Sequence, residues 1–195
     1  MKTLKHHHFI LHKPHGYLSQ LINNQNKRKN KKLLGELYDF PEGSMAIGRL
    51  DETSEGLLLL TTNGKISEYI RSNKVEKEYY VLVDGIIDDK AIDQLQKGVK
   101  ISINGNSYIT KPCIAVHTPP VTNYPIEERK VRDSRHGPMS WVSIIITEGK
   151  FRQVRKMTAA VGFPTLRLVR VRIGSVQLKI GAGRVQEVTN FIDWE

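Results

Sequence analysis

Residues 48–61 read Gly-Arg-Leu-Asp-Glu-Thr-Ser-Glu-Gly-Leu-Leu-Leu-Leu-Thr, a charged run that passes without a break into an apolar one. Leu57 to Thr61 has the length and composition of a buried strand, and Asn63-Gly64 beyond it signals a turn. The charged half brings Arg49, Asp51, Glu52 and Glu55 to the mouth of that strand. Ionised groups beside a core are costly unless they are paired or solvated. Two readings compete. In one, the segment is a polar loop capping the strand, with Gly48 and Gly56 serving its turns. In the other, the rigid strand holds one carboxylate in a cleft as a nucleophile or base.

Upstream, Phe9 to Lys13 reads as a short strand stopped by Pro14, with Gly16 in the following turn. Asn23 to Lys32 is polar and strongly basic (Lys27, Arg28, Lys29, Lys31, Lys32) and has no apolar period, so an exposed loop is expected. Leu33, Leu34 and Leu37 suggest one short helix. Downstream, Ile66, Tyr69 and Ile70 recur at helical spacing. Lys77 to Val83 is β-branched and aromatic on both faces, as a central strand is, with Tyr79 and Tyr80 on opposite sides. Asp89 to Lys97 reads as a helix with Ile92 and Leu95 inward, ended by Gly98. Ile101 to Ile103 and Ser107 to Thr110, around Asn104-Gly105, make a hairpin. Residues 118–138 hold four prolines, Pro119, Pro120, Pro125 and Pro138, and read as a long surface excursion. Ser140 to Thr147 is a strand, Lys150 to Val161 a helix ended by Gly162 and Pro164, and Thr165 to Ile173 a strand. Strands and helices mix without regular βαβ alternation, so the expected class is α+β with a largely antiparallel sheet.

The helix expected at residues 150–161 carries a second constellation. At ~100° per residue, Val154, Met157, Thr158 and Val161 gather on one face and Arg152, Arg155 and Lys156 on the other. Cations in the first turns oppose the helix dipole. An anionic partner would offset that cost; a solvated amphipathic surface is the other reading. Arg167 and the pair Arg170 and Arg172, at strand spacing two, offer a further candidate phosphate track.

Composition bounds the function. The chain has 195 residues, 39 % of them hydrophobic, enough for one domain or two small lobes sharing a sheet. No stretch approaches the ~20 apolar residues of a membrane span. Met1 to His8 lacks the apolar core of a signal peptide and reads as a mobile tail, with the domain expected over residues 9–190. The single cysteine, Cys113, leaves no internal disulfide and fits a reducing cytoplasm. The formal net charge of +10 attracts polyanions, and nucleic acid is the expected partner. Neither a Gly-rich phosphate loop nor metal-ligand spacing is present, so no cofactor and no metal are expected.

Taken together, these segments resemble the RsuA-type pseudouridine synthases. Gly48-Arg49-Leu50-Asp51 with the following Ser-Glu-Gly-Leu-Leu-Leu-Leu-Thr-Thr-Asn-Gly is similar to their catalytic motif. His12-Lys13-Pro14-His15-Gly16 resembles their opening Asn-Lys-Pro-x-Gly, with His12 in place of Asn. Lys77 and Tyr79 fit their Lys-x-Tyr strand. Glu148-Gly149 through Gln153-Val154-Arg155-Lys156-Met157 fits their last motif, and Arg170 to Gly174 also agrees. The likeness spans roughly residues 9 to 180, in order. Many relatives carry a small RNA-binding domain before the Lys-Pro strand. Here only about a dozen residues precede it, as in the short RluE-type enzymes of large-subunit ribosomal RNA.

The resemblance implies the pseudouridine synthase fold, with a central active-site cleft and no separate RNA-binding domain. It implies a cofactor-free isomerase that turns uridine into pseudouridine in large-subunit (23S) ribosomal RNA, acting as a cytoplasmic monomer. It casts Asp51 as nucleophile, Arg155 as its basic partner and Tyr79 as the ring beneath the uracil. Arg49 would fill the space left by the flipped nucleotide. Attack at the sugar, attack at the ring and base catalysis at the sugar all stay open. RNA contacts are expected from Lys13, Arg49, Lys77, Arg152, Lys156, Arg170, Arg172 and the basic loop. Transfer RNA is the rival substrate, and a non-catalytic ribosome-assembly protein the rival class.

Replacing the five basic residues of the Lys27 to Lys32 loop with Ser should weaken RNA binding. It should also flatten the salt dependence, because fewer counterions are released. Filter-binding titrations across a salt series measure both; an unchanged slope would make the loop a solvated surface.

Overall fold

The computed structural model describes residues 5–22, 30–72, 74–118 and 123–191. The chain opens with β1 (His8–Lys13), β2 (Tyr17–Leu18), β3 (Lys32–Leu33), a 3-10 turn at Leu34–Glu36 and β4 (Met45–Ala46). There follow β5 (Glu55–Thr61), α1 (Gly64–Arg71), β6 (Lys77–Asp84), α2 (Asp89–Lys97), β7 (Lys100–Ile103) and β8 (Asn106–Ile109). The remainder is β9 (Ile114–His117), a 3-10 turn at Ser134–His136, β10 (Met139–Ile146), α3 (Gln153–Ala160), β11 (Thr165–Ile173), β12 (Val176–Gln177) and β13 (Val185–Val188). Nine strands form one sheet, ordered β13-β1-β5-β11-β6-β10-β9, with β4 beside β5 and β12 beside β11. Its ladders are antiparallel except for β5 against β11. No helix among the described residues is long and apolar enough to cross a membrane.

The leucine run explains the layering. All seven residues of β5 are buried. Leu57 and Leu59 join a core with Ile70, Val169 and Val171 on one face. Leu58 and Leu60 pack with Phe9, Leu11 and Leu34 on the other. A third core, around Val81, Val83, Leu95, Val142, Ile144 and Met157, fills the half of the sheet beyond β11. The Asn63-Gly64 turn signal is the start of α1: the Asn63 side chain accepts from the Lys65 and Ile66 amides, satisfying donors the helix leaves open.

Several expectations are corrected. The basic loop falls mostly at residues 23–29, outside the described residues; Lys32 lies in β3, paired with β2. The histidines before Phe9 are not a free tail. His8 is buried in β1 against Thr61, and His7 pairs with Glu187 at 2.6 Å. The last helix begins at Gln153 rather than Lys150. The edge strands β9 and β13, too short to show a period, went unforeseen.

The two halves of the sheet meet at a narrow seam. β5 and β11 pair over Glu55 with Val169 and Gly56 with Arg170, and no further. Gly56 serves no turn. It lies within β5 at φ 103°, and a Cβ there would stand 2.3 Å from the Arg170 carbonyl oxygen. Just beyond, where the strands part, Arg170 Nε donates to the Leu57 carbonyl at 2.8 Å.

Gly56→Ala should therefore destabilise the protein by about 3 kcal/mol, since neither backbone nor strand can give way cheaply. Gly64→Ala, in ordinary helical space with nothing nearby, should stay within about 0.5 kcal/mol. Urea unfolding of the two variants makes the comparison; equal stabilities would show that the seam relaxes.

Candidate active site

Asp51 sits in the loop that enters β5, and three groups from the N-terminal segment hold that loop from behind. Ser19 Oγ donates to the Leu50 carbonyl at 2.8 Å and accepts from the Leu50 amide at 3.0 Å. The Gly16 amide donates to the Glu52 carbonyl at 2.8 Å. Lys13, fully buried, spends its ammonium on the Pro14 and Tyr17 carbonyls at 2.9 and 2.6 Å, with Glu52 O at 3.4 Å. Within the loop, the Ser54 amide closes a turn onto the Asp51 carbonyl at 3.0 Å. The motif from His12 to Gly16 is thus a clamp for the Asp51 loop. His12 is buried and ties the C-terminal turn, its Nδ1 lying 2.9 Å from the Ile180 carbonyl oxygen.

The other wall is α3 and the strands beneath it. Asp51, Tyr79, Lys77, Arg152 and Arg170 line one cleft, floored by Leu168 and Ile173. Arg152 Nη1 donates to Asp51 Oδ2 at 2.9 Å. Arg155 Nε approaches the same oxygen at 3.6 Å, an ion pair without a hydrogen bond. Instead Arg155 Nη2 donates to Thr53 O at 3.2 Å, Thr53 Oγ1 at 3.3 Å and Ser54 Oγ at 3.1 Å. Burial lowers the Arg155 pKa, Arg152 adds to that, and Asp51 and Glu55 oppose it. Arg155 thus pairs with Asp51 by charge and holds the loop that carries it, while the hydrogen bond to the carboxylate comes from Arg152, a partner not expected from sequence.

A buried carboxylate braces each side. Glu55 accepts from Arg167 at 3.1 and 2.7 Å and from Arg129 at 3.0 Å, tying the proline-rich excursion to the seam. Burial would raise its pKa, but the bonds and charge of Arg167, with Arg129, hold it below the usual range. Glu148 accepts from the Tyr108 hydroxyl, the Lys111 amide and Gln153 Nε2, joining the β7–β8 hairpin to the first turn of α3. Neither role was visible in sequence, because all the partners but Gln153 lie 37 to 112 positions away in the chain.

The expected RNA contacts divide. Arg49 is exposed on the cleft and Arg152 projects into it. Lys13 is sealed away from any phosphate. Lys77 is buried at the cleft floor, its ammonium donating to the Ser72 and Thr147 carbonyls, both at 3.1 Å. Lys156 turns from Asp51, donating to Ser102 O at 2.7 Å. Lys31 pairs with Glu52 at 2.6 Å; Lys27, Arg28 and Lys29 lie outside the described residues. Arg170 and Arg172 share no face, because a bulge between them shifts the register against β6. Arg170 stays on the cleft side with Tyr79, whereas Arg172 pairs with Glu78 and Glu76. The arginine track is a stitch and an ion-pair cluster.

Residues 7–160 match the family described as RNA pseudouridylate synthase. The chain is 39 % identical over 171 residues to ribosomal large subunit pseudouridine synthase E of Xanthomonas axonopodis pv. citri (strain 306), covering 87 % of this chain and 86 % of that one. It is 36 % identical to ribosomal large subunit pseudouridine synthase B of Yersinia pestis, over 72 % of this chain and 39 % of that one. A crystal structure of a pseudouridylate synthase superposes with a TM-score of 0.73 at 25 % identity, covering 96 % of this chain and 72 % of that chain.

The two buried lysines make stability depend on pH. Burial pushes Lys13 down to about 8 against the pull of Glu55, Asp51 and Glu52. Burial, then Arg170, push Lys77 to about 8 from the ordinary 10.5. Between those values the unfolded chain binds more protons than the folded one. Stability should rise with pH across that window, by up to about 1.4 kcal/mol per pH unit for each lysine. The stability of wild type relative to Lys77→Met should therefore grow from about pH 8 to about pH 10 in urea titrations; a constant difference would mean that Lys77 keeps its proton in the fold.

Proposed function

The chain belongs to the RNA pseudouridylate synthase family, and from that premise we propose that it isomerises a specific uridine of large-subunit (23S) ribosomal RNA, with Asp51 as the attacking carboxylate. As a pseudouridine synthase it is an isomerase: the N-glycosidic bond breaks, the uracil turns, C5 bonds to the sugar carbon that N1 left, and C5 gives up its proton while N1 gains one. The observation that carries the reading is one cleft lined by both Tyr79 and Asp51, the latter held between two arginines. The likeness to the large-subunit synthase E proteins over most of both chains supports ribosomal RNA as substrate. We take the enzyme to act as a monomer in the cytoplasm; the lone Cys113 agrees with a reducing compartment.

The residues divide the work. A base inside a helix is out of reach, so the uridine must leave the stack to meet Asp51. Tyr79 offers its ring as the surface on which the uracil lies, and Arg49, exposed on the rim, fills the gap the nucleotide leaves. Asp51 must be ionised, and Arg152 and Arg155 compensate its charge differently. Arg155 is largely buried and tied to Thr53 and Ser54, so it stays put. Arg152 is more exposed and moves aside from Oδ2 as the substrate enters.

Asp51→Asn should lower turnover by more than about 10³-fold, because an amide supplies no attacking oxygen. RNA binding should survive. Arg155→Met should cost on the order of 10²-fold, and Arg155→Lys less, since charge survives but the fork geometry does not. Carbodiimide-stop primer extension on transcribed large-subunit RNA reads the product. Substantial activity in Asp51→Asn would remove Asp51 from its role, and pseudouridine formed in transfer RNA alone would overturn the proposed substrate.

A further inference from the structure

Phe151 stands 63 % exposed beside the cleft. Single exposed apolar residues are ordinary, so exposure alone argues little. Three further features set this one apart. First, Phe151 lines the same groove as Asp51 and Arg49, so the surface is continuous with the site. Second, one cation lies over the ring and another is on the preceding residue. Lys156 Nζ lies 5.2 Å from the ring centroid, anchored on Ser102 O, and Lys150 Nζ is held over the Tyr108 ring at 5.1 Å. Third, the next residue, Arg152, sits in the left-handed region at φ 51°. Among the described residues the one other non-glycine at positive φ is Asn104, in a hairpin turn. Strain of that kind persists where the surroundings impose it. Here the conformation that delivers Arg152 to Asp51 leaves Phe151 outside the core, at the cleft mouth.

We propose that Phe151 is a stacking platform for the nucleobase adjacent to the target uridine, an inference that rests on the isomerase reading for its RNA substrate. Extruding the uridine removes the stacking partner of its neighbour. An aromatic ring at the mouth of the cleft replaces that partner, and every base has a face to offer it. Lys156 covers one face of the ring, and most of the remainder is open to solvent. Lys150 and Lys156 add positive charge near the ring, which favours a polyanion there. An acidic peptide would suit the cations but makes less use of a bare ring beside a base-binding cleft.

The test compares Phe151→Tyr, which keeps an aromatic face, with Phe151→Leu, which keeps apolar bulk without one. Titration of transcribed large-subunit RNA reads binding without requiring turnover. A synthetic RNA spanning the uridine modified by wild type, with 2-aminopurine placed in turn on either side of it, reads stacking through quenching. Phe151→Leu should bind roughly tenfold more weakly and lose the quenching at one flanking position, with KM rising more than kcat falls; Phe151→Tyr should keep both. Equal affinity and equal quenching in the two variants would overturn the platform. So would equal losses in both, which would mark a packing defect. Wild type that binds the transcribed RNA more tightly than Phe151→Leu does, yet forms no pseudouridine in it, would sustain Phe151 as an RNA contact and overturn the isomerase reading.

Discussion

The meeting of β5 and β11 at Gly56 is the constraint on which the rest of the structure depends. One half of the sheet carries Asp51 at the entrance to β5; the other carries Tyr79 on β6 and leads through α3 to Arg152 and Arg155. The ladder that joins the halves is two residue pairs long. Only a residue without a Cβ lets the Arg170 backbone come so close. Past that point the strands part, and the space between them is the cleft. Arg170 stitches its base by donating to Leu57. The site is thus a consequence of where the sheet divides.

On that divided frame the electrostatics are asymmetric. Asp51 faces two guanidiniums, one more exposed and bonded to it, the other less exposed and bonded to its loop. A carboxylate in a cleft needs compensation, yet one sealed by a bidentate arginine could not meet a substrate. Splitting the task resolves the conflict. Arg155 keeps charge near Asp51 while holding Thr53 and Ser54. Arg152, on a strained backbone outside the helix, can leave without dismantling α3.

Much of this was legible in the sequence, and the failures share a cause. The leucine run, the Lys77 strand, the α2 helix with its Gly98 stop and the Asn104-Gly105 hairpin are local patterns, and local physics sets them. Asp51 and Tyr79 were identified through resemblance, and they do share the cleft. The hydrogen bond from Arg152 to Asp51 was not legible, because it follows from an αL residue that starts the helix at Gln153. The separation of Arg170 from Arg172 was hidden for a similar reason: a bulge changes the parity of a strand and leaves no trace in the spacing of charges. Lys13 and Lys77 looked like phosphate ligands because a sequence shows charge and not burial.

The ion pair at the seam answers a weakness that the seam creates. A ladder of two pairs specifies register poorly, and a slip of one residue would turn every side chain of β5 to the wrong face. Glu55 and Arg167 are both buried and meet through two hydrogen bonds. Such a pair adds little net stability, since desolvation consumes much of its attraction. A slipped register, however, would leave a buried carboxylate and a buried guanidinium unpaired, which is far costlier than a slipped pair of leucines. Arg129 extends the pair to the proline-rich excursion, so the same carboxylate that fixes the register also fastens that segment. Asp51 lies four residues from Glu55 in a loop clamped at both ends. A register set by charge at the seam is therefore a position set for Asp51.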